Sequence, residues 1–287
     1  MHVTSNRYTT AFLTLLDISP EPMKIISYNI LEGMAADTSP DKRNFIEWVR
    51  AQNTDILALQ EANRFTQESL GRLARAYGHP YVALSKEEGY PVALTSRYPI
   101  GQPHIIREPM THGCLIAEIA GYRVVVLHLD PFSCRKRKDE LQLVLHTIEH
   151  ERRLSGKDNW ILMGDFNSFS PIDQSAYTDN RYRDRILELP IENPHRNNLN
   201  AREIDYALHR SLLDGGYIDA LRTKYPEFVH TFPTRRFYPL EGEPIWIRYD
   251  YIYLSADLQK KFVTADPIRD PFTEYYSDHY PIGLILQ

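Results

Sequence analysis

Cysteine is nearly absent: Cys114 and Cys134 are the only two in 287 residues. Two thiols cannot build the disulfide framework on which small secreted domains depend, and this scarcity fits a reducing compartment, so a cytoplasmic location is expected. Long apolar runs are missing too, and none approaches the roughly 20 residues of a membrane span. The leading MHVTSNRYTTAFLTLLDISPEP has one apolar patch, AFLTLL, followed by Asp17 and no small-residue cleavage site, a poor signal peptide. Residues 1–22 therefore read as an N-terminal extension of no assigned role, with Met23 a second possible start, ahead of one domain over residues 23–287. There is no basic excess: the net charge of −5 argues against a protein that coats nucleic acid by charge alone. Gly/Ser linkers and repeats of 20 to 50 residues are also lacking. Nothing points to an obligate protein partner.

Several chemistries lose their usual signatures in the same way. No H-E-x-x-H supports a zinc protease, no G-x-S-x-G elbow supports acyl transfer, and no P-loop lysine supports nucleotide-driven phosphoryl transfer. His146 and His150 are an i, i+4 pair, but on a helix face that should meet solvent. Cys134 precedes Arg135, Lys136, Arg137 and Lys138, charges that would lower a thiol pKa, although a lone cysteine ordinarily serves packing.

What is present is an ordinary globular composition, 43% hydrophobic and 25% charged, with ample material for a core. Short apolar runs predict strands at 24–29, 55–60, 92–96, 114–119, 123–129, 160–163, 249–254 and 281–286. Helical patterns cover 41–52, 64–77, 135–154 and 201–213. In the third helix Leu141, Val144, Leu145 and Ile148 form an apolar stripe suited to a sheet. The strands are too many and too often adjacent for a simple parallel alternation, and a two-sheet core with helices outside fits better.

The polar ends of these runs carry the chemistry. Asn29 ends KIISYN, Glu61 follows ILALQ, His128 nearly ends VVVLHL, and Asp165 ends WILMGD with Asn167 two positions on. Asp250 instead heads YDYIYL, and Asp278 and His279 precede YPIGLIL. Between antiparallel neighbours, the trailing end of one strand and the leading end of the next share an edge. Each of these residues alone has a dull explanation as a turn former; together they predict one polar rim. Carboxylates and amides without thiolates make a hard, oxygen-rich site suited to Mg²⁺ or Mn²⁺. The chemistry left is metal-assisted hydrolysis of a phosphoester, with a carboxylate activating water and histidines donating to oxygens that gain charge.

At SYNILEG, ILALQE, VVLHLD, MGDFNSFSP, YDYIYL and SDHYPIGLIL the chain resembles the endonuclease/exonuclease/phosphatase superfamily, which includes exonuclease III and deoxyribonuclease I. The resemblance runs in order from residue 24 to 286 and implies an α/β fold, a four-layer α/β/β/α sandwich of two mixed, largely antiparallel sheets. It implies a divalent cation held by Glu61 with Asn29 and Asp278. Asp165 would position or deprotonate water, Asn167 would hold a phosphate oxygen, and Asp250 would orient His279 toward the pentavalent phosphorus. A histidine at the position of His128 assists the leaving group in deoxyribonuclease-like and sphingomyelinase-like branches. Exonuclease-III-like members place a Tyr nearby, so His128 points away from abasic-site repair.

The expected substrate is a phosphodiester, most readily in nucleic acid. The alternatives are a small or lipid-derived phosphoester and a non-catalytic binding relative. RYDYIYL stands where inositol-polyphosphate phosphatases carry Cys-Asp-Arg, and a secreted sphingomyelinase would have a leader and disulfides. A degenerate relative should have lost one of Glu61, Asp165, Asp250 or His279, and none is lost. TFPTRRFYPLEGEPIWIRYD interleaves Arg235, Arg236 and Arg248 with Phe237 and Trp246, a pattern suited to stacking bases and holding phosphates. TDNRYRDRILELPIENPHRNN mixes both charge signs and reads as a solvated excursion, and the RKRK run at 135–138 offers charge to guide a polyanion.

Overall fold

The computed structural model describes residues 21–287, so all but the last two positions of the expected extension lie outside the described residues. The architecture follows from chain order. One sheet starts with β1 (Met23–Asn29), β2 (Ile56–Gln60), β3 (Tyr81–Leu84) and β4 (Ala93–Ser96), and a second with β5 (His104–Ile106), β6 (Cys114–Ile119), β7 (Tyr122–His128) and β8 (Trp160–Asp165). A small hairpin of β9 (Leu199–Asn200) and β10 (Glu203–Ile204) stands apart. The second sheet is completed by β11 (Ile218–Asp219) and β12 (Asp250–Leu254), while β13 (Phe262–Pro267) and β14 (Ile282–Leu286) return to the first. The strand orders are β13-β14-β1-β2-β4-β3 and β11-β12-β8-β7-β6-β5. Each sheet has one parallel seam, β1 with β2 and β7 with β8, and its other pairings are antiparallel.

Successive side chains of a strand face opposite ways, and in both sheets both faces are covered. Ile25, Ile56, Val126, Met163 and Ile252 fill the core between the sheets. Their neighbours Ile26 and Leu57 pack instead against Phe45 and Val49 of α1 (Arg43–Gln52) and Leu70 of α2 (Gln67–Ala76). On the other side Leu127 and Leu162 meet Leu141, Val144 and Ile148 of α3 (Cys134–Ser155). Double burial is why these strands read as unbroken apolar runs rather than alternation. The result is the four-layer α/β/β/α sandwich that the resemblance implied. Among the described residues, no helix is long and apolar enough to cross a membrane.

Several boundaries differ from the sequence reading. Edge strands β3 and β13 were not foreseen, because an edge strand needs only one apolar face and β13 carries Thr264, Asp266 and a terminal Pro267. The helix expected from residue 201 begins later, as α5 (Ala207–Asp214), because Ala201 and Arg202 take positive φ to turn the β9–β10 hairpin. The stretch read as a solvated excursion contains α4 (Arg181–Glu188), whose Tyr182 and Ile186 join Phe169, Tyr177, Leu199 and Ile247 in a separate apolar cluster. Two buried residues at i, i+4 in a highly charged segment are too sparse a stripe to stand out.

Candidate active site

Register assembles the rim. Asn29 pairs with Gln60 across the first parallel seam, leaving Glu61 just past the end of β2. Across the second seam His128 pairs with Asp165, and Asp165 pairs in turn with Asp250 at the head of antiparallel β12. The second seam is tight. A Cβ on Gly164 (φ +143°) would sit 1.9 Å from the Leu127 carbonyl oxygen, so the residue before Asp165 is held to glycine. Glu61 adopts φ 58° and Asn167 φ 48°, left-handed conformations uncommon for such residues, and both turn off a strand end into the rim.

Asn29 ties the two sheets together: its Nδ2 donates to Glu61 Oε1 at 3.2 Å and to Asp165 Oδ2 at 3.1 Å. Its Oδ1 accepts from the Leu31 N–H at 3.1 Å. The other Glu61 oxygen takes the Glu32 N–H at 2.8 Å. Asp165 Oδ1 accepts the Asn167 N–H at 2.9 Å, and Asn167 Nδ2 donates to the Leu129 carbonyl at 3.0 Å, leaving one amide hydrogen of Asn167 uncommitted. His279 Nδ1 is 2.8 Å from Asp250 Oδ2, and its Nε2 is 3.7 Å from Asp165 Oδ2. His128 Nε2 approaches the same Asp165 oxygen from another side at 3.6 Å.

The charges here are strongly coupled. Burial pushes Asp165 up to about 7, reinforced by Asp250 and opposed by His279. Burial alone would strip the proton from His279, but Asp250, Asp165 and Asp278 outweigh it and hold the imidazole well above its ordinary pKa. His128 goes the other way: burial, then His112 and His279, keep it well below. Glu61 is raised by burial, with Asp278 adding to the rise and the Glu32 N–H opposing it.

Asp165, Asp250 and His279 bring ligand atoms within 4.8 Å of one another. That trio already contains its own cation, because its histidine is the charged partner of two carboxylates and a protonated ring has no lone pair for a metal. Glu61 and Asp278 have no Lys or Arg partner among the described residues. Their carboxylate oxygens are the donor type that fits a hard divalent cation, whereas Asn29 turns its Nδ2 toward Glu61 and could offer such an ion only its Oδ1, which also accepts the Leu31 N–H.

The expected substrate wall divides in two. Arg235, Arg236 and Phe237 are exposed on a short turn that starts beside the site, since Thr234 N–H donates to the Asp278 carbonyl at 3.0 Å. Arg236 lies over the Phe237 ring and donates to the Tyr275 carbonyl. Trp246 is packed, its ring centroid 4.1 Å from that of His230 and 5.1 Å from that of Tyr238. Arg248 corrects the expectation: it is fully buried, bonded to Asp173 at 2.7 Å and to Asp219 at 2.7 Å, with its guanidinium over the Tyr251 ring, and cannot reach a substrate. The RKRK run is likewise partly committed, with Arg137 buried against Asn198 and Lys138 paired to Asp205. Burial, seconded by Asp205, raises the Cys134 thiol despite its basic neighbours, so it is no activated nucleophile. His146 and His150 are solvent-exposed.

Three residues in contact with this centre had no role in the sequence reading. Ser277 donates to the Asn29 carbonyl at 2.6 Å and accepts the His279 N–H at 3.2 Å. Thr231 Oγ1 receives the Tyr249 and Asp250 N–H groups. His112 stacks on His128, ring centroids 4.2 Å apart. Ser277 lies inside the SDH triplet and was open to notice there; Thr231 and His112 sit in segments with no distinguishing signal.

Comparison with known proteins places this geometry in context. The chain is 28% identical over 293 residues to the DNA repair nuclease APEX1 of Danio rerio, covering 96% of this chain and 85% of the relative. An AP endonuclease from Archaeoglobus fulgidus superposes with a TM-score of 0.62 at 21% identity, covering 92% of this chain and 99% of that one. The 3′ phosphatase NExo from Neisseria, bound to product DNA hairpin, superposes at 0.66 with 21% identity and the same two coverages. The model of the Endonuclease/Exonuclease/phosphatase family matches residues 26–279. The chain belongs to the endonuclease/exonuclease/phosphatase family and is a hydrolase of that family.

Proposed function

We propose that this protein is a divalent-metal-dependent phosphodiesterase acting on nucleic acid. The observation that carries the reading is the geometry of His279, its Nδ1 fixed by Asp250 at 2.8 Å and its Nε2 facing the buried Asp165 at 3.7 Å, with burial raising the proton affinity of that carboxylate. Glu61, Asn29 and Asp278 would hold Mg²⁺ or Mn²⁺, which when bound would neutralise phosphate charge.

The chain's own residues do the rest. Asp165 orients a water and accepts its proton, a task suited to a carboxylate with raised proton affinity. His279 presents its Nε2–H to a phosphate oxygen that gains charge, with Asp250 holding the ring. The free amide hydrogen of Asn167 binds a second phosphate oxygen. His128 is neutral, so it donates a hydrogen bond on the leaving-group side rather than delivering a proton outright. Arg235, Arg236 and Phe237 grip the neighbouring nucleotides, a short footprint in keeping with an acidic protein.

A nucleic-acid substrate is supported by these exposed basic and aromatic groups beside the rim, and by relatives named as DNA repair and 3′-end enzymes. The two free, buried cysteines support a cytoplasmic location. The test is a hydrolysis panel in Mg²⁺ or Mn²⁺ across single- and double-stranded DNA, a 3′-phosphorylated oligonucleotide, RNA, sphingomyelin, inositol phosphates and a chromogenic phosphodiester. Turnover fastest on a polynucleotide supports the reading. Turnover confined to the lipid or inositol substrates overturns it in favour of a small phosphoester, and no turnover on any favours a binding relative.

A further inference from the structure

The two histidines that flank Asp165 are held by different means. His279 is oriented through its far nitrogen, as Asp250 fixes Nδ1 at 2.8 Å. His128 has no such tether: its Nδ1 is buried without a hydrogen-bond partner. A ring whose second nitrogen is unbound has its rotation fixed by packing alone. The aromatic group stacked on it is His112, with centroids 4.2 Å apart and planes inclined by only 29°.

The placement of His112 is itself built. It follows Thr111, every polar group of which is engaged. The Thr111 N–H donates to Glu140 Oε1 at 2.7 Å, its hydroxyl to Asp130 Oδ2 at 2.7 Å, and its carbonyl accepts from Lys86 Nζ at 3.1 Å. Glu140 also takes the Asp130 N–H at 2.9 Å, so one carboxylate of α3 clamps the segment before β6 to the segment after β7. Gly113, with φ +97°, turns the chain directly into β6, whose first residue Cys114 pairs with Leu127 beside His128. Tyr90 also lies against His112, ring centroids 5.3 Å apart, and the Tyr90 hydroxyl is anchored on Glu32 at 3.2 Å. His112 is thus 8% exposed, wedged between a clamped backbone and a tethered ring.

We propose that His112 is a positioning residue: by stacking on His128 it holds the Nε2 of that ring toward Asp165 and the leaving-group side of the site. A flat ring at position 112 is what matters, and a proton on it is not required. The inference rests on the role of His128 given above. Stacked imidazoles at this distance repel if both are charged, and burial together with Lys86 keeps His112 down to about 4.

The test uses the full-length protein with the best substrate of the panel and saturating Mg²⁺. His112→Ala should lower kcat by on the order of tenfold with KM little changed, because a misplaced group costs rate rather than binding. His112→Phe, which restores a flat ring without nitrogens, should recover most of that loss. In a His128→Ala background, His112→Ala should cost nothing further, since nothing is left to position. Thermal unfolding identifies any variant that loses its fold. If the Ala variant does not fold, the Phe variant decides, and a Phe variant as slow as His128→Ala overturns the proposal. Additive losses in the double variant, or a kcat for His112→Ala equal to wild type, also overturn it. A His128→Ala protein with normal turnover overturns both the proposal and the role of His128, whereas a slow His128→Ala beside an unaffected His112→Ala removes the proposal alone.

Discussion

Oδ2 of Asp165 is approached by the Nε2 atoms of two histidines, His128 at 3.6 Å and His279 at 3.7 Å, and hydrogen-bonds to neither. Both distances exceed a hydrogen bond and remain within Coulombic reach. The two rings face a shared carboxylate in different charge states, His279 held protonated by its carboxylates and His128 held neutral by burial. That asymmetry makes the site directional, with a charged donor on one side of Asp165 and a neutral one on the other.

Asp165→Asn keeps the shape of the side chain and removes its ability to accept a proton. Turnover should fall by about a hundredfold or more while KM and the melting temperature stay close to wild type. Asp250→Asn should reproduce the kcat loss indirectly, because it removes the charge that keeps His279 protonated. Steady-state kinetics on one substrate checks both, and near-normal turnover in either variant removes the assigned roles.

Metal affinity should track Glu61. Titration of Mn²⁺ followed by calorimetry should show Glu61→Ala weakened by at least about tenfold, the loss that follows removal of even an outer partner of a metal ligand. EDTA should abolish hydrolysis and added Mg²⁺ or Mn²⁺ restore it. Full activity in chelator would sink the metal assignment.

Two kinds of arginine predict opposite phenotypes. Arg248→Ala leaves Asp219 buried without its cation and Asp173 with only the longer Arg222 contact at 3.5 Å, and should destabilise the protein by about 3–5 kcal/mol, read as a fall in urea midpoint. Arg235→Ala with Arg236→Ala should leave that midpoint unchanged, raise KM for nucleic acid, and flatten the log K against log salt slope by about 0.9 for each duplex phosphate no longer neutralised. A stability loss from the exposed pair with no change in salt slope would refute their place on the substrate wall.

His209 should make folding sensitive to acid. It is fully buried between Ser168 Oγ at 2.8 Å and the Tyr253 hydroxyl at 2.9 Å, and burial together with Arg248 holds its pKa well below the ordinary value. Above about pH 6.5 the ring is neutral whether the chain is folded or not, and its contribution is fully present. Below that pH the unfolded chain takes up a proton that the folded one refuses, so stability is lost as pH falls. The destabilisation caused by His209→Gln should accordingly be smaller at about pH 5 than at about pH 7.5 by about 2 kcal/mol, measured by urea unfolding. An equal effect at the two pH values excludes a neutral buried ring.

The rim was legible because the buried central strands are largely apolar until they end, so Asn29, Glu61, Asp165 and Asp250 stand out against Ile, Leu and Val. What was not legible depends on direction and distance. Arg235 and Arg248 look alike along the chain, yet one faces solvent and the other lies between two carboxylates at positions 173 and 219 that no local pattern connects. Ser277 acts on Asn29 across 248 positions. His112 owes its place to Glu140 and Asp130, which reach back to Thr111 from beyond β7. Edge strands such as β13 escape for a different reason, since half their surface meets solvent and their apolar pattern is diluted.

The Asn29 amide, shared between Glu61 on one sheet and Asp165 on the other, has a thermodynamic consequence. Neither sheet owns the site, so a ligand that engages both sides binds only when the sheets are docked. Occupancy then adds to the free energy of the whole sandwich, and a ligand at about a hundred times its dissociation constant contributes about 2.7 kcal/mol against global unfolding. The same linkage makes a chain with separated sheets blind to its ligand, so hydrogen exchange in the presence of ligand should slow in both sheets together.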